Sequence, residues 1–224
     1  MAGSKDTRDI LKRPDEFITI SGKVLQWARE HGRPLRYAGI AVAVAAVVFI
    51  AAHTYLNYAD RKGQDSYNKA YNAIAETNPS EKAKESAPEA VTLFEEVIKD
   101  HSLSKASALA LAQLANLKYR EKNYDEAIAL YRKFLVEMAG KTRYENLTKL
   151  ALSACYEAKA DLKNAIELLN SVRDYPLLKE TALWNLARLY RLSNETEKEK
   201  EALKQFAEEF TDSPFLPLAK ARML

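Results

Sequence analysis

From Tyr37 to Tyr58 the chain reads YAGIAVAVAAVVFIAAHTYLNY, without one Asp, Glu, Lys or Arg. A helix rises about 1.5 Å per residue, so roughly 20 such residues cross a hydrocarbon layer about 30 Å thick. Gly39 to Ala52 is almost entirely Ala, Val, Ile and Phe, and Tyr37, Tyr55 and Tyr58 stand where an interfacial aromatic belt would lie. A core helix of a soluble domain keeps a polar stripe, whereas this stretch is apolar all round. It reads as a membrane span. Arg36 closes one end, and Asp60, Arg61 and Lys62 close the other.

The span divides the sequence into an arm over 1–36, a transmembrane helix over 37–58 and a large domain over 59–224. The arm carries eight Lys/Arg and five Asp/Glu, and its residues from Ser21 to Gly32 read either as an amphipathic helix anchored by Trp27 or as a plain juxtamembrane linker. Lys23, Arg29, Arg33 and Arg36 precede the span closely, so the positive-inside rule keeps the arm in the cytoplasm and sends the domain across. The competing reading is a cleaved signal peptide, for which a leader of this length containing Asp and Glu is unusual. Residues 37–224 hold 26 basic and 26 acidic side chains, a balance that argues against nucleic acid as a partner. The single cysteine, Cys155, excludes an intrachain disulfide and, in an Ala-rich helical pattern, reads as a small core residue.

Beyond the span the apolar spacing becomes that of amphipathic helices, and it repeats. Leu114-Ala115, Ala127, Tyr131 and Phe134 recur at an offset of 38 as Leu152-Ser153, Ala165, Leu169 and Val172. Ala90, Phe94 and Val97 precede Ala127, Tyr131 and Phe134 by 37, while Leu186-Ala187 and Tyr190 follow Leu152-Ser153 and Tyr156 by 34. A period of 34–38 over four units predicts an all-α solenoid of helical hairpins, because a lone hairpin cannot bury its apolar face. Close helix approach needs small residues, so Ala115 is expected opposite Ala127 and Ser153 opposite Ala165. Tyr131, Leu169 and Phe206 are expected to fill the gap to the next hairpin. Ala187 and Ala202 stand further apart than Ala115 and Ala127, or Ser153 and Ala165, which predicts three extra residues in the fourth corner. The first unit, SYNKAYNAIAE with EAVTLFEEVI, is joined by a polar TNPSEKAKESAP segment, and PFLPLAKARML reads as a capping helix with Leu216 inward and Lys220 and Arg222 outward.

These residues resemble the tetratricopeptide repeat, most closely in LAQLANLKYREKNYDEAIALYRKFL, where Phe134 stands in place of the family's small residue and predicts looser or differently tilted packing. The wider layout, a short arm, one span near residue 40 and an immediate first repeat helix, resembles the YfgM-type ancillary subunit of the bacterial SecYEG translocon. That resemblance implies a single-pass protein of the bacterial inner membrane with a periplasmic repeat domain. Its implied partners are translocon subunits, periplasmic chaperones or exported chains.

No chemistry is legible. His31, His53 and His101 have no metal-ligand spacing, no glycine-rich phosphate loop occurs, and Cys155 lies in no nucleophile motif. No catalytic residue, metal or cofactor is expected. Partner binding is expected on the face lined by the first helix of each hairpin, through Asn116, Tyr119 and Arg120 in the second unit and Trp184, Arg188 and Arg191 in the fourth. The third unit offers Ala154 and Ala158 where a peptide-carboxylate clamp would need polar residues, so such a clamp is not expected. The leading expectation is a non-enzymatic membrane-anchored scaffold for protein partners. The alternative is a structural or assembly factor that self-associates. Tyr58 and the first repeat helix stand close together in the chain, so the span is expected to run on into it, with Gly63 the one weak point.

Overall fold

A computed structural model describes residue 22 and residues 25–75 and 87–223. Residues 1–21 of the arm, and most of the polar segment between the first two repeat helices, lie outside the described residues. So does Val24, and with it part of the proposed amphipathic helix, of which residues 25–30 are helical. Every regular element among the described residues is an α-helix. These are α1 (Gly32–Ala75), α2 (Ala87–Asp100), α3 (Lys105–Arg120), α4 (Tyr124–Glu137), α5 (Thr142–Ala158), α6 (Leu162–Val172), α7 (Lys179–Leu192), α8 (Thr196–Glu209) and α9 (Leu216–Met223). The chain forms two compact units, one ending at Tyr55 and one over Leu56–Leu224.

In the first unit the apolar stretch is helical and its side chains are exposed throughout, the largest being Tyr37, Phe49 and Tyr55. Phe49 stacks on His53 one turn later, with ring centroids 6.1 Å apart. Among the described residues, one helix is long and apolar enough to cross a membrane.

The second unit is the solenoid. Successive helices pack in antiparallel pairs, α3 on α4, α5 on α6 and α7 on α8, and each pair packs on the next. The C-terminal part of α1 supplies the first helix of the first pair: Ala70 is fully buried, and Tyr67 meets Phe94 of α2 edge-on at 5.6 Å. The expected small positions, Ala115, Ala127, Ser153 and Ala165, are all buried. Buried side chains form one cluster from Ala70 to Cys155 and a second from Ala165 to Ala219, and Tyr156 of α5 packs against both.

Three corners share one construction. Lys122, Ala160 and Asn194 take φ of 63°, 60° and 58°. At each, the N–H of that residue bonds a carbonyl three back (Tyr119, Glu157, Arg191), and the next N–H bonds one five back (Lys118, Tyr156, Tyr190). This is the Schellman closure, with a non-glycine residue in the left-handed position. In two of them the residue that completes it then caps the next helix: Asn123 and Asp161 accept from the N–H groups of Glu126 and Asn164. The α4–α5 corner uses glycine instead, Gly140 at φ 80°, whose N–H donates to Glu145 at 2.7 Å.

The fourth corner therefore differs from expectation. It holds no extra residues, because Asn194 stands seven after Ala187, as Lys122 does after Ala115 and Ala160 after Ser153. Counted from the corner, the position of Ala127 and Ala165 belongs to Glu199, and the fillers Tyr131 and Leu169 correspond to Leu203 rather than Phe206. Phe206 takes the place of Phe134 and Val172. Glu199 fits the tight site by pairing: its side chain is 12% exposed and meets Arg222 of α9 at 3.8 Å. Arg222 is thus turned inward, over the Trp184 ring at 5.6 Å, while Lys220 is exposed. Phe134 is also tightly held, buried and edge-on to Tyr144 at 6.1 Å, so the large residue there does not loosen the packing.

Gly63 is no weak point. It lies inside α1, buried against the α2–α3 corner, where a Cβ would stand 2.3 Å from both Cβ and Oγ of Ser104. Around it Asp60 Oδ1 accepts from Lys105 N at 2.9 Å and from Ser104 Oγ at 3.1 Å, and Ser66 Oγ lies 3.0 Å from His101 Nε2. Glycine is required here for close approach of two backbones.

Candidate functional site: the groove along the first helices

The first helices of successive hairpins, the end of α1 with α3 and α5, line a groove of about 270 Å³. Its walls are aromatic and apolar, with Tyr67, Tyr131, Phe134, Tyr144 and Leu147 prominent, and its polar groups are the uncharged Gln113, Asn116 and Thr148. A second hollow of about 290 Å³, between Tyr71 and Ile74 of α1 and Arg120 of α3, shares Gln113 and Asn116. A concave surface of this composition can hold an extended segment by apolar contact, with a few amides fixing its direction.

Asn116 and Arg120 lie on this surface. Tyr131 donates its hydroxyl proton to Asn116 Oδ1 at 2.6 Å, so the Asn116 amide nitrogen is what remains to offer a ligand. Burial raises the Tyr131 phenol well above its usual range, which keeps it a donor at any physiological pH. Tyr119 is half exposed, with its ring 5.5 Å from Tyr124, and burial raises its phenol as well.

Arg188 of α7 is engaged. It grips both carboxylate oxygens of Glu157 on α5 and donates to Asn185 Oδ1 at 3.0 Å. The hydrogen bond to Glu157 raises its already high pKa, so Arg188 keeps its charge at any physiological pH. Trp184 stacks on Phe215 at 4.9 Å and is half-buried beneath Arg222. Arg191 is exposed one turn beyond Arg188. The structure thus brings Asn116 and Arg120 together beside one groove, and places Trp184 in the packing between α7 and α9. Arg188 closes a bridge between α5 and α7.

Tyr67, Tyr144 and Leu147, which form much of the groove, were not among the expected residues. A helical period traced back from Asn116 reaches Ala112 and Leu109, but nothing local marks Tyr144. It joins the groove only because α5 lies beside α3. Among the described residues no cluster of His, Cys, Asp or Glu could hold a metal ion.

A tetratricopeptide-repeat family model matches residues 181–213, the fourth hairpin. No curated protein matches the chain. Among solved structures, a protein from Podosopora anserina described as a kinesin light chain with nearly identical TPR-like repeats is 17% identical. The match covers 71% of this chain and 82% of that one, with a TM-score of 0.55. A tetratricopeptide repeat protein from Parabacteroides merdae is 13% identical over 73% of this chain and 59% of that one, with a TM-score of 0.61. Such likenesses speak for fold, and they agree with the hairpin geometry: the chain is an all-α protein whose repeat domain is a tetratricopeptide-type solenoid.

Proposed function

We propose that this chain is a membrane-anchored scaffold that binds protein partners, held by residues 37–58 at the outer face of a bacterial inner membrane. Tetratricopeptide repeats generally mediate protein–protein contacts and typically do no catalysis. The observation that carries the reading is the pairing of an apolar, wholly exposed helical stretch with a repeat domain that has an open, uncharged aromatic groove. Such a groove suits an extended segment with apolar side chains, with Gln113, Asn116 and Thr148 as its polar contacts and Arg120 in the adjoining hollow; Tyr119 and Arg191 are further contacts on the first-helix face. Confinement beside a membrane machine raises the scaffold's effective concentration there. Translocon subunits, periplasmic chaperones and exported chains are the partners that fit this position, and a handover role in export follows from it. The topology is tested by adding protease to intact spheroplasts. Digestion of the repeat domain is expected, and its protection would overturn the orientation. A photocrosslinking side chain at Tyr144 in intact membranes then identifies the occupant of the groove. Recovery of translocon subunits or exported chains supports the export role, and recovery of an unrelated complex in their place would sink it.

A further inference from the structure

The α2–α3 corner is bound to a point on α1 immediately beyond the apolar stretch. Asp60, which accepts from Ser104 and Lys105, stands two positions after Tyr58, and Gly63, which touches Ser104 and His101, stands five after it. Along a helix these are steps of about 3 and 7.5 Å. The polar layer on each side of a bilayer core is itself roughly 5–8 Å thick. If Tyr58 stands at the interface, a corner fixed at that level falls within the headgroup layer.

The side chains at this corner suit that place. Leu103, within the corner, is 61% exposed. Lys105, Arg61 and Lys62 are exposed around it, and Lys62 lies over the Tyr58 ring at 5.2 Å. These three cations outnumber the two carboxylates, Asp60 and Asp100, and the Asp60 carboxylate is taken up by the corner's own N–H and hydroxyl. A long apolar side chain flanked by cations whose ammonium and guanidinium groups reach phosphates is the pattern of an interfacial contact.

Resting on the reading that residues 37–58 span a bilayer, we propose that the His101–Lys105 corner is a second lipid contact. In it Leu103 enters the headgroup layer while Lys105 and Arg61 meet lipid phosphates. The domain would then touch the membrane at a place remote in the chain from its anchor, through an α1–corner clamp that its own hydrogen bonds build.

The test uses the full-length protein in vesicles of phosphatidylethanolamine with a minority of phosphatidylglycerol. An environment-sensitive fluorophore is attached at Leu103→Cys, at Leu192→Cys as a distant exposed control, or at Val47→Cys within the span; the native Cys155 is buried and does not compete. Expected is a blue shift at position 103 and quenching by headgroup-attached nitroxide about twofold or more that at position 192, as a probe within the roughly 5–8 Å polar layer requires. Quenching at 103 no greater than at 192, with the position 47 probe in lipid, overturns this inference alone. A position 47 probe that stays in water overturns the membrane reading, and this inference with it.

Discussion

Cys155 sits on α5 with no solvent exposure, and burial pushes its thiol up to about 11. The thiolate is the reactive form, so almost none is present at neutral pH. In the native protein Cys155 is expected to resist an aromatic disulfide reagent at pH 8 and to react fully once denatured; rapid native labelling would contradict its burial. Glu199 makes the complementary case for a charge. Because it occupies the position of Ala127 and is neutralised by Arg222, replacing the pair together (Glu199→Ala with Arg222→Met) should change stability by less than about 1 kcal/mol, in line with buried pairs that break even against apolar replacements. The reciprocal change, Ala127→Glu, places a carboxylate in a fully buried site, and should cost about 3 kcal/mol or more by denaturant titration. If both cost the same, the corner-based register is wrong.

On an exposed helix Gly→Ala gains roughly 1 kcal/mol of propensity. At Gly63 the new methyl would stand 2.3 Å from Ser104, and overpacking of that kind costs about 1–3 kcal/mol. The clash wins, and Gly63→Ala should lower the melting temperature of the repeat domain in detergent; a rise would show that the clamp on the α2–α3 corner is not formed. At the other end Lys179 of α7 holds Glu209 of α8 at 2.5 Å, and Gln205 donates to the same carboxylate at 3.0 Å. Lys179, followed by Gln205, keeps the Glu209 pKa below its ordinary value. A carboxylate depressed in the folded state stabilises it above the unfolded pKa, and that contribution is lost as pH falls through the folded value. Wild type should therefore be more stable than Glu209→Gln at pH 7, with the gap closing as pH falls below about 4.3, the ordinary glutamate value. A gap independent of pH would mean the ion pair contributes nothing.

For the molecule as a whole, stability in a solenoid is a chain of neighbour interactions, and here the two buried clusters communicate through Tyr156. Removing most of that ring with Tyr156→Ala, which also leaves Arg132 without its hydroxyl partner, should cost about 2–4 kcal/mol and broaden unfolding into two steps. A single sharp transition would place the coupling elsewhere. The same one-dimensional order explains what could be read beforehand. The solenoid was legible because small and large residues recur at fixed distances, a local property of the string. The fourth unit was misregistered because Ala202 imitates an alanine whose true place Glu199 fills, and only the partner on α9 makes a charge tolerable there. Gly63 reads as a break by propensity alone, since its requirement comes from Ser104, on a corner the chain reaches only after α2. Asn116 and Arg120 were legible as surface positions of a first helix, whereas Tyr144 joins their groove through the stacking of α5 on α3. The recruitment of Trp184 beneath α9 was likewise invisible.

The three Schellman corners carry one more consequence. Their shape is written in main-chain hydrogen bonds, so Lys122, Ala160 and Asn194 have no side-chain chemistry in common and that site is open to substitution drift. What drift cannot alter is the count from the corner to the buried positions on either side, because one inserted residue would rotate every later side chain of a helix by about 100°. The repeats therefore keep a reading frame more faithfully than they keep residues, and a frame survives after composition has diverged beyond recognition.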